Sequence, residues 1–359
     1  MGSKPPPFPD ALPATTPWPA ANAILAAPAP VFPAAEFPVG DSIQAAIDAC
    51  AAAGGGHVRV PAGNWPTGAI RLKSNVDLNL AAGARLSFVG DARQYPKVLT
   101  RYEGIECINR SPMIYAFGET NIGLTGEGTL DASGTTWNSG ADRQSVLEPM
   151  VALPVEQRDV SGRLRSSFVE PYRCNNVLIQ GVTLVGARFW QIHPTLCTNV
   201  TIDCVTTTVS APNSDGCDPE SCDGVVIQHC SLASDDDNIS LKSGRDDDGR
   251  RLNVPCRNVV ILNCQAEGRF GFLTIGSEQT GGIENVYAYN NWSYGQGVGP
   301  VLWIKSNSRR GGYTRNVNVD TFKGPRSSRD AVSIDLNYGG QSGPYPPSVQ
   351  EIHVQNISG

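Results

Sequence analysis

No stretch of about 20 apolar residues occurs in the chain, so no part of it has the length to cross a membrane as a helix. A basic surplus is also missing. With 28 Lys and Arg against 34 Asp and Glu, the formal charge is -6, whereas a nucleic-acid binder needs a Lys/Arg-rich face to displace counterions. Nucleic acid and membrane are therefore not expected partners, and the sequence is silent on oligomeric state. No CxxC pair is present, which argues against a zinc site. The ten cysteines need not pair in a chain this long; one or two disulfides at most are expected, with Cys217 and Cys222 the nearest candidates. Aromatics are scarce at 7% and charge is modest at 17%, while glycine is abundant at 38 residues, which describes an elongated β-protein with many tight turns. The start, MGSKPPPFPD, lacks the charged-then-apolar pattern of a signal peptide and reads as a trimmed beginning.

Residues 1–38 are rich in proline and alanine, a composition that does not sustain a helix or a sheet ladder, and are expected to wrap the domain as an extended segment or to move freely. The remainder, 39–359, shows no linker and is expected to form one domain. It opens with DSIQAAIDACAAAGGG, where Asp41 or Ser42 can cap a helix presenting Ile43, Ala46, Ile47 and Cys50 on one face. Beyond it a short template recurs: NVDLNL from Asn75, NIGLTG from Asn121, NVLIQG from Asn176, NVTIDC from Asn199, GVVIQHC from Gly224, NVVILNC from Asn258, NVYAYN from Asn285, NVNVDT from Asn316 and EIHVQN from Glu351. In the central part the starts lie 23, 25, 34, 27, 31 and 35 residues apart. A strand unit at that period, with no helix between copies, predicts an all-β parallel β-helix, a solenoid whose short N-terminal helix covers the first coil. The leading Asn suits a tight turn from which its amide can bond to the next coil. A β-sandwich also has short, regularly spaced strands, but its strands need not share one template. The last run, IHVQNISG, carries no evident cap, which predicts either a trimmed end or oligomer contacts there.

Two acidic clusters fall about one coil apart, PNSDGCDPESC at 212–222 and SDDDNISLKSG at 234–244, with 21 positions separating Asp215 from Asp236. Stacking places both on one face of the solenoid. Carboxylates gathered this closely repel one another, which points to chemistry; a solvated acidic turn or a calcium site is the plainer alternative.

The stretch from about 55 to 320 resembles the polygalacturonases, glycoside hydrolase family 28, whose motifs are Asn-x-Asp, Asp-Asp, Gly-His-Gly and Arg-Ile-Lys in that order. The wording FVEPYRCNNVLIQGVTL, FWQIHPTLC, NSDGCDPESC, KSGRDDDGRR, IGSEQTGGIENV and IKSNSRRGG is most similar to the bacterial exo-acting branch. The resemblance implies a right-handed β-helix and inverting hydrolysis of α-glycosidic bonds in a pectic polysaccharide, by a protein that is secreted or periplasmic. It implies Asp236 as the general acid, with Asp215 and Asp237 holding and deprotonating the attacking water. An inverting pair stands about 6.5–9.5 Å apart. It also implies Lys305, in WIKSN, as a contact to a sugar carboxylate. Arg245 is a second such candidate, because a guanidinium grips carboxylates in bidentate fashion. Arg250 and Arg251 add positive charge nearby. Asn213 belongs to the Asn-x-Asp motif, Lys242 follows the Asp pair and is expected to order Asp237, and His193 either lines the cleft or packs beneath Trp190.

Two positions depart from the family pattern. Phe270 stands where the histidine of Gly-His-Gly is expected, and Trp303 replaces the arginine of Arg-Ile-Lys. Together they would make an apolar platform for a pyranose face, suited to rhamnose or another neutral sugar. No metal or organic cofactor is implied, since acid and base carboxylates suffice. Two other readings remain: a β-helix lyase, which would need calcium and an Arg or Lys base, and a carbohydrate-binding solenoid without turnover. The irregular stretch 127–168 is expected to wall the groove, compatible with exo action.

Overall fold

A computed structural model describes residues 4–138, 143–328 and 330–359. The recurring template is the fold. Each copy is a strand, and the strands stack in parallel so that Val76, Ile122, Val177, Val200, Val225, Val259, Val286, Val317 and Ile352 occupy one column. Two residues on, Leu78, Leu124, Ile179, Ile202, Ile227, Ile261, Ala288, Val319 and Val354 form a second column. Most of these side chains are fully buried, and each buried Val or Ile contributes roughly 1.5–3 kcal/mol relative to exposure. The architecture is the right-handed parallel β-helix. Among the described residues one pair of strands is antiparallel, the hairpin Lys97–Tyr102 with Ile105–Arg110, which the sequence did not announce.

The leading residue of every copy adopts a left-handed conformation, from Asn199 at φ 53° to Gly224 at φ 76°. Asparagine tolerates that region and also links the coils: Nδ2 of Asn121, Asn176 and Asn199 each donates to Oδ1 of the Asn one coil before, at 3.1, 2.6 and 2.7 Å. Gly224 interrupts the ladder, and it resumes at Asn258, Asn285 and Asn316.

The helix Ile43–Ala52 caps the first coil, with Ser42 Oγ accepting from Ala45 N and Ile43, Ala46, Ile47 and Cys50 buried. Three elements differ from expectation. The N-terminal segment does carry a helix, Pro19–Leu25, and a strand, Glu36–Pro38, paired with Gly56–Val60. Proline is harmless at the first helical position, where no N–H is needed, and AANAIL then propagates the turn. The segment lies along the solenoid: the carbonyls of Pro6, Pro13 and Pro28 accept from Gln265, Asn263 and Asn199, and Trp18 packs on Tyr287 and Tyr289. The second is RDDDGRR, a helix over Asp246–Leu252, whose first turn holds three aspartates favourable to the helix dipole. The third is the cysteines. All ten are free, and all but Cys204 are buried. Cys174, Cys197, Cys222 and Cys256 occupy one position in four successive coils. Their parallel side chains sit a coil spacing of about 4.8 Å apart, more than the roughly 3.8 Å between Cβ atoms that a disulfide requires. Their thiols turn instead to carbonyls, Cys197 to Pro171 and Cys222 to Pro194, both at 3.2 Å.

Candidate active site

A cleft of about 250 Å³ opens on a face built by the parallel strands Ile239–Leu241, Leu273–Gly276, Leu302–Lys305 and Val332–Asp335. Its walls include Asn213, Asp215, Asp236, Asp237, Lys242, Arg245, Glu278 and Lys305, with Glu103, Phe189, Trp190 and Tyr338. The two acidic turns meet because Cys217 pairs with Ile239, so that Asp215 lies over Asp237, 22 positions on, rather than over Asp236. One carboxylate oxygen from each of Asp215, Asp236 and Asp237 lies within 4.8 Å of the other two. Asp236, next to Asp237 in the chain, reaches the same point from the diagonal, and the limit is for the nearest oxygens, whereas the roughly 6.5–9.5 Å of an inverting pair is counted between whole carboxyl groups.

Asp237 is the anchored member. It accepts hydrogen bonds from Lys305 Nζ at 2.8 Å, Thr274 Oγ1 at 2.7 Å and the Gly271 amide at 3.0 Å. Gly271 occupies the next rung, and a Cβ there would meet Thr274 Oγ1 at 2.2 Å, so only glycine leaves room for this contact. Asp236 accepts from Asn213 Nδ2 at 3.1 Å, and Asn213 is itself held by Arg165, which donates to its Oδ1 at 2.7 Å. Burial, then the charge of Asp237, raises the pKa of Asp236. Burial pushes Asp215 well above the carboxylate range, reinforced by Asp218 and Asp236. Crowded carboxyls of this kind share protons, the condition a general acid needs.

The cations stand where the strands put them, with partners that partly correct the expectation. Lys242 does not order Asp237. Its ammonium donates to Ser240 Oγ at 2.9 Å, the Gly276 carbonyl at 3.3 Å and Glu278 at 3.3 Å, and lies 3.8 Å from Asp215 and 3.6 Å from Asp218. Burial opposes that charge, but Glu278, Asp218 and Asp215 outweigh it and raise the lysine pKa. Lys305 reaches the cleft, yet its ammonium is engaged with Asp237. Arg245 lines the cleft too, paired with Glu278 at 2.9 Å and Glu103 at 3.1 Å. Arg250 and Arg251 turn away to Asp247 and Asp248 on their own helix, so they add no charge to the cluster.

His193 does not line the cleft. It is fully buried beneath Trp190, ring centroids 4.8 Å apart, with Nε2 at 2.9 Å from Glu220 and Nδ1 at 3.1 Å from Ser167 Oγ. Burial would lower its pKa, but Glu170 and Glu220 prevail and hold it at about 9. The antiparallel hairpin roofs this pocket: Arg101 Nη1 bonds Glu220 at 2.8 Å and Thr100 bonds Glu170. The same hairpin packs with Val146, Leu147, Val160 and Leu164 of the 127–168 stretch against Phe189 and Trp190, forming a wall at the N-terminal side of the cleft. Phe270 and Trp303 are half-buried, with parallel rings 6.5 Å apart at 4°; Lys305 Nζ lies 4.4 Å over the Trp303 ring. Neither is among the cleft's lining residues.

Residues that the sequence reading passed over include Glu278, Asp218, Glu220 and Tyr338. Asp218 and Glu220 sit within DPESC, three and five positions after Asp215, a signal present but unassigned. Glu278 and Tyr338 needed the stacking to be known. An oxygen set as tight as that of the three aspartates is also a geometry a hard cation can use; Lys305 and Lys242 already bring positive charge to the same carboxylates.

The chain is similar to known proteins over most of its length. The description "Glycosyl hydrolases family 28" matches residues 50–359. A "Probable polygalacturonase" from Vitis vinifera is 30% identical over 280 residues, 74% of this chain and 52% of that protein. The "Exo-poly-alpha-D-galacturonosidase" of Dickeya chrysanthemi is 26% identical over 337 residues, 84% of this chain and 55% of that protein. The chain thus spans about half the length of these two relatives. The crystal structure of a hyperthermoactive exopolygalacturonase from Thermotoga maritima superposes with a TM-score of 0.85 at 35% identity, covering 94% of this chain and 84% of that one.

Proposed function

The chain belongs to glycosyl hydrolases family 28, and from that premise we propose that it hydrolyses α-glycosidic bonds of a galacturonan-type pectic polysaccharide, acting from a chain end. The observation that carries this reading is the convergence of Asp215, Asp236 and Asp237, one oxygen of each within 4.8 Å of the others, on a cleft floored by Lys305 and Lys242. Asp236, with its raised pKa, delivers its proton to the leaving glycosidic oxygen as the C1–O bond breaks. Asp215 and Asp237 together hold the attacking water, which forms the new bond to C1 as its proton passes to this pair. The hairpin and the 127–168 stretch wall one side of the cleft, in keeping with exo action, and the named relatives include exo-acting enzymes. A polymeric substrate is met outside the cytoplasm, so the same reading puts the protein in the periplasm or beyond.

One observation favours a partly neutral pectic glycan such as rhamnogalacturonan as the alternative substrate. Among the described residues each cation lining the cleft already faces a carboxylate, and the paired rings of Phe270 and Trp303 lie nearby. Incubation with homogalacturonan and with rhamnogalacturonan separates the two. Release of reducing monosaccharide from homogalacturonan, with no ultraviolet-absorbing unsaturated product and with kcat about 10²–10⁴-fold lower in Asp236→Asn, is expected. The first-formed sugar, observed by proton NMR, is expected as the β-anomer; an α-anomer would mean retention, the outcome associated with carboxyls about 5–5.5 Å apart. No reducing sugar from either polymer would refute the hydrolase reading.

A further inference from the structure

The irregular stretch 127–168 reaches the turn that holds Asp236 through one side chain, Arg165. Its guanidinium lies 4.9 Å from the ring centroid of Phe189, which is itself stacked on Tyr102 at 4.5 Å and on Trp190 at 4.9 Å. From that platform Nη1 donates to the carbonyls of Arg188, at 3.0 Å, and of Pro212, and Nη2 donates to Asn213 Oδ1 at 2.7 Å. The other end of the Asn213 amide faces the acid: Nδ2 donates to Asp236 Oδ2 at 3.1 Å, while the Asp237 backbone N–H donates to Asp236 Oδ1 at 3.0 Å. Asn213 is exposed in the cleft on a left-handed turn at φ 59°, and among the described residues Arg165 and Asp236 are the hydrogen-bond partners of its side chain.

An asparagine amide has an accepting end and a donating end, and a half-turn exchanges them. A guanidinium only donates, so Arg165 takes the oxygen and leaves the N–H for Asp236. The opposite orientation would turn an acceptor toward Asp236, where it would bind the carboxyl proton and hold it back. In the observed one both carboxyl oxygens of Asp236 face N–H donors, and its proton is left to the cleft. Once that proton has gone, the same donors meet a full carboxylate, and hydrogen bonds to an ionised group are about twice as strong as neutral ones.

We propose that Arg165 is a positioning residue for the general acid: by holding the oxygen of Asn213 it fixes the Asn213 N–H on Asp236, so that the carboxyl proton goes to the glycosidic oxygen and the carboxylate left behind is stabilised as it forms. The proposal rests on the hydrolase reading above. Within that scheme the Asp236 O–H bond breaks, its proton bonds to the leaving oxygen, and the electron pair of the C1–O bond stays with that oxygen. The charge left on Asp236 is met by the N–H groups of Asn213 and Asp237.

One test needs no turnover. In nitrogen-15 NMR the side-chain amide of Asn213, assigned by its loss in Asn213→Ala, is expected to show one proton shifted downfield by its bond to Asp236 and to lose that shift in Asp236→Asn and in Arg165→Met. An amide indifferent to either substitution would overturn the proposal, whether or not the protein hydrolyses pectin. Activity provides the second test. On homogalacturonan Arg165→Met is expected to lower kcat about 10–100-fold with KM within about threefold, and Arg165→Lys, which keeps a donor, to recover most of the loss. The loss is expected to vanish in two settings where a merely structural residue would still be missed. One is the Asn213→Ala background, because Arg165 acts through that amide; the other is a nitrophenyl galacturonide, whose leaving group departs without a proton. An undiminished loss in either setting would refute the positioning role. If Arg165→Met does not fold, Asn213→Asp serves in its place: it keeps an oxygen for Arg165 but presents another to Asp236, and a kcat equal to the wild type would refute the proposal.

Discussion

Two stacks of polar residues run along the same solenoid at the same coil spacing, and they behave oppositely. In the asparagine ladder an amide both gives and accepts, so Asn285 donates to Asn258 and accepts from Asn316 without charge. In the aspartate cluster the same stacking brings together groups that, once ionised, only accept and repel. That cluster persists because Lys305, Thr274 and Gly271 hold Asp237, Asn213 holds Asp236, and Lys242 stands beside Asp215. Identical backbone geometry therefore yields a structural staple from neutral amides and a reactive site from carboxyls. The proton state of the side chain makes the difference.

This contrast can be broken at either stack. The largest effect is expected from Lys305→Met, which strips the ammonium from Asp237. Loss of one partner from a buried ion pair costs about 3–5 kcal/mol, and kcat on homogalacturonan should drop roughly 100-fold. Denaturant unfolding and steady-state kinetics measure the two; an unchanged midpoint would show that Thr274 and Gly271 suffice. In the amide stack, Asn285→Ala removes a donor and an acceptor and leaves alanine in a left-handed turn at φ 57°. A loss of about 1–3 kcal/mol is expected, with kcat unaltered at this distance from the cleft. If stability did not fall, the ladder would be ornament and the aliphatic columns alone would set the register.

The smallest effect concerns pH. In the unfolded chain the carboxyls of Asp215, Asp218 and Asp236 release their protons near pH 4. The folded chain retains those protons longer, since all three are raised and Asp218 to about 7. Their contribution to stability is thus fully present below about pH 4 and is lost as pH climbs through the folded values. The melting temperature should decline between pH 5 and 8, and less steeply in Asp218→Asn. A rise over that range would contradict the shared-proton picture.

Much of this was legible in the residues themselves. The template from Asn75 to Glu351 specified the strands, and its leading residue specified the left-handed turns, because hydrophobic alternation and the tolerance of Asn and Gly for positive φ are local properties. The acidic turns at 212–222 and 234–244 were legible for the same reason. What the stacking alone decided was partnership. Whether Lys242 meets Asp237 or Glu278, whether His193 sees the cleft or Glu220, and whether neighbouring cysteines bond or merely stack all depend on which rung lies beside which. Those distances are fixed by coils of 23 to 35 residues whose loops carry no periodic signal. The sequence by itself determined a β-helix with three aspartates on one face; the tertiary structure decided which proton-bearing and cationic neighbours each of them has, because such contacts join residues adjacent in space and remote along the chain.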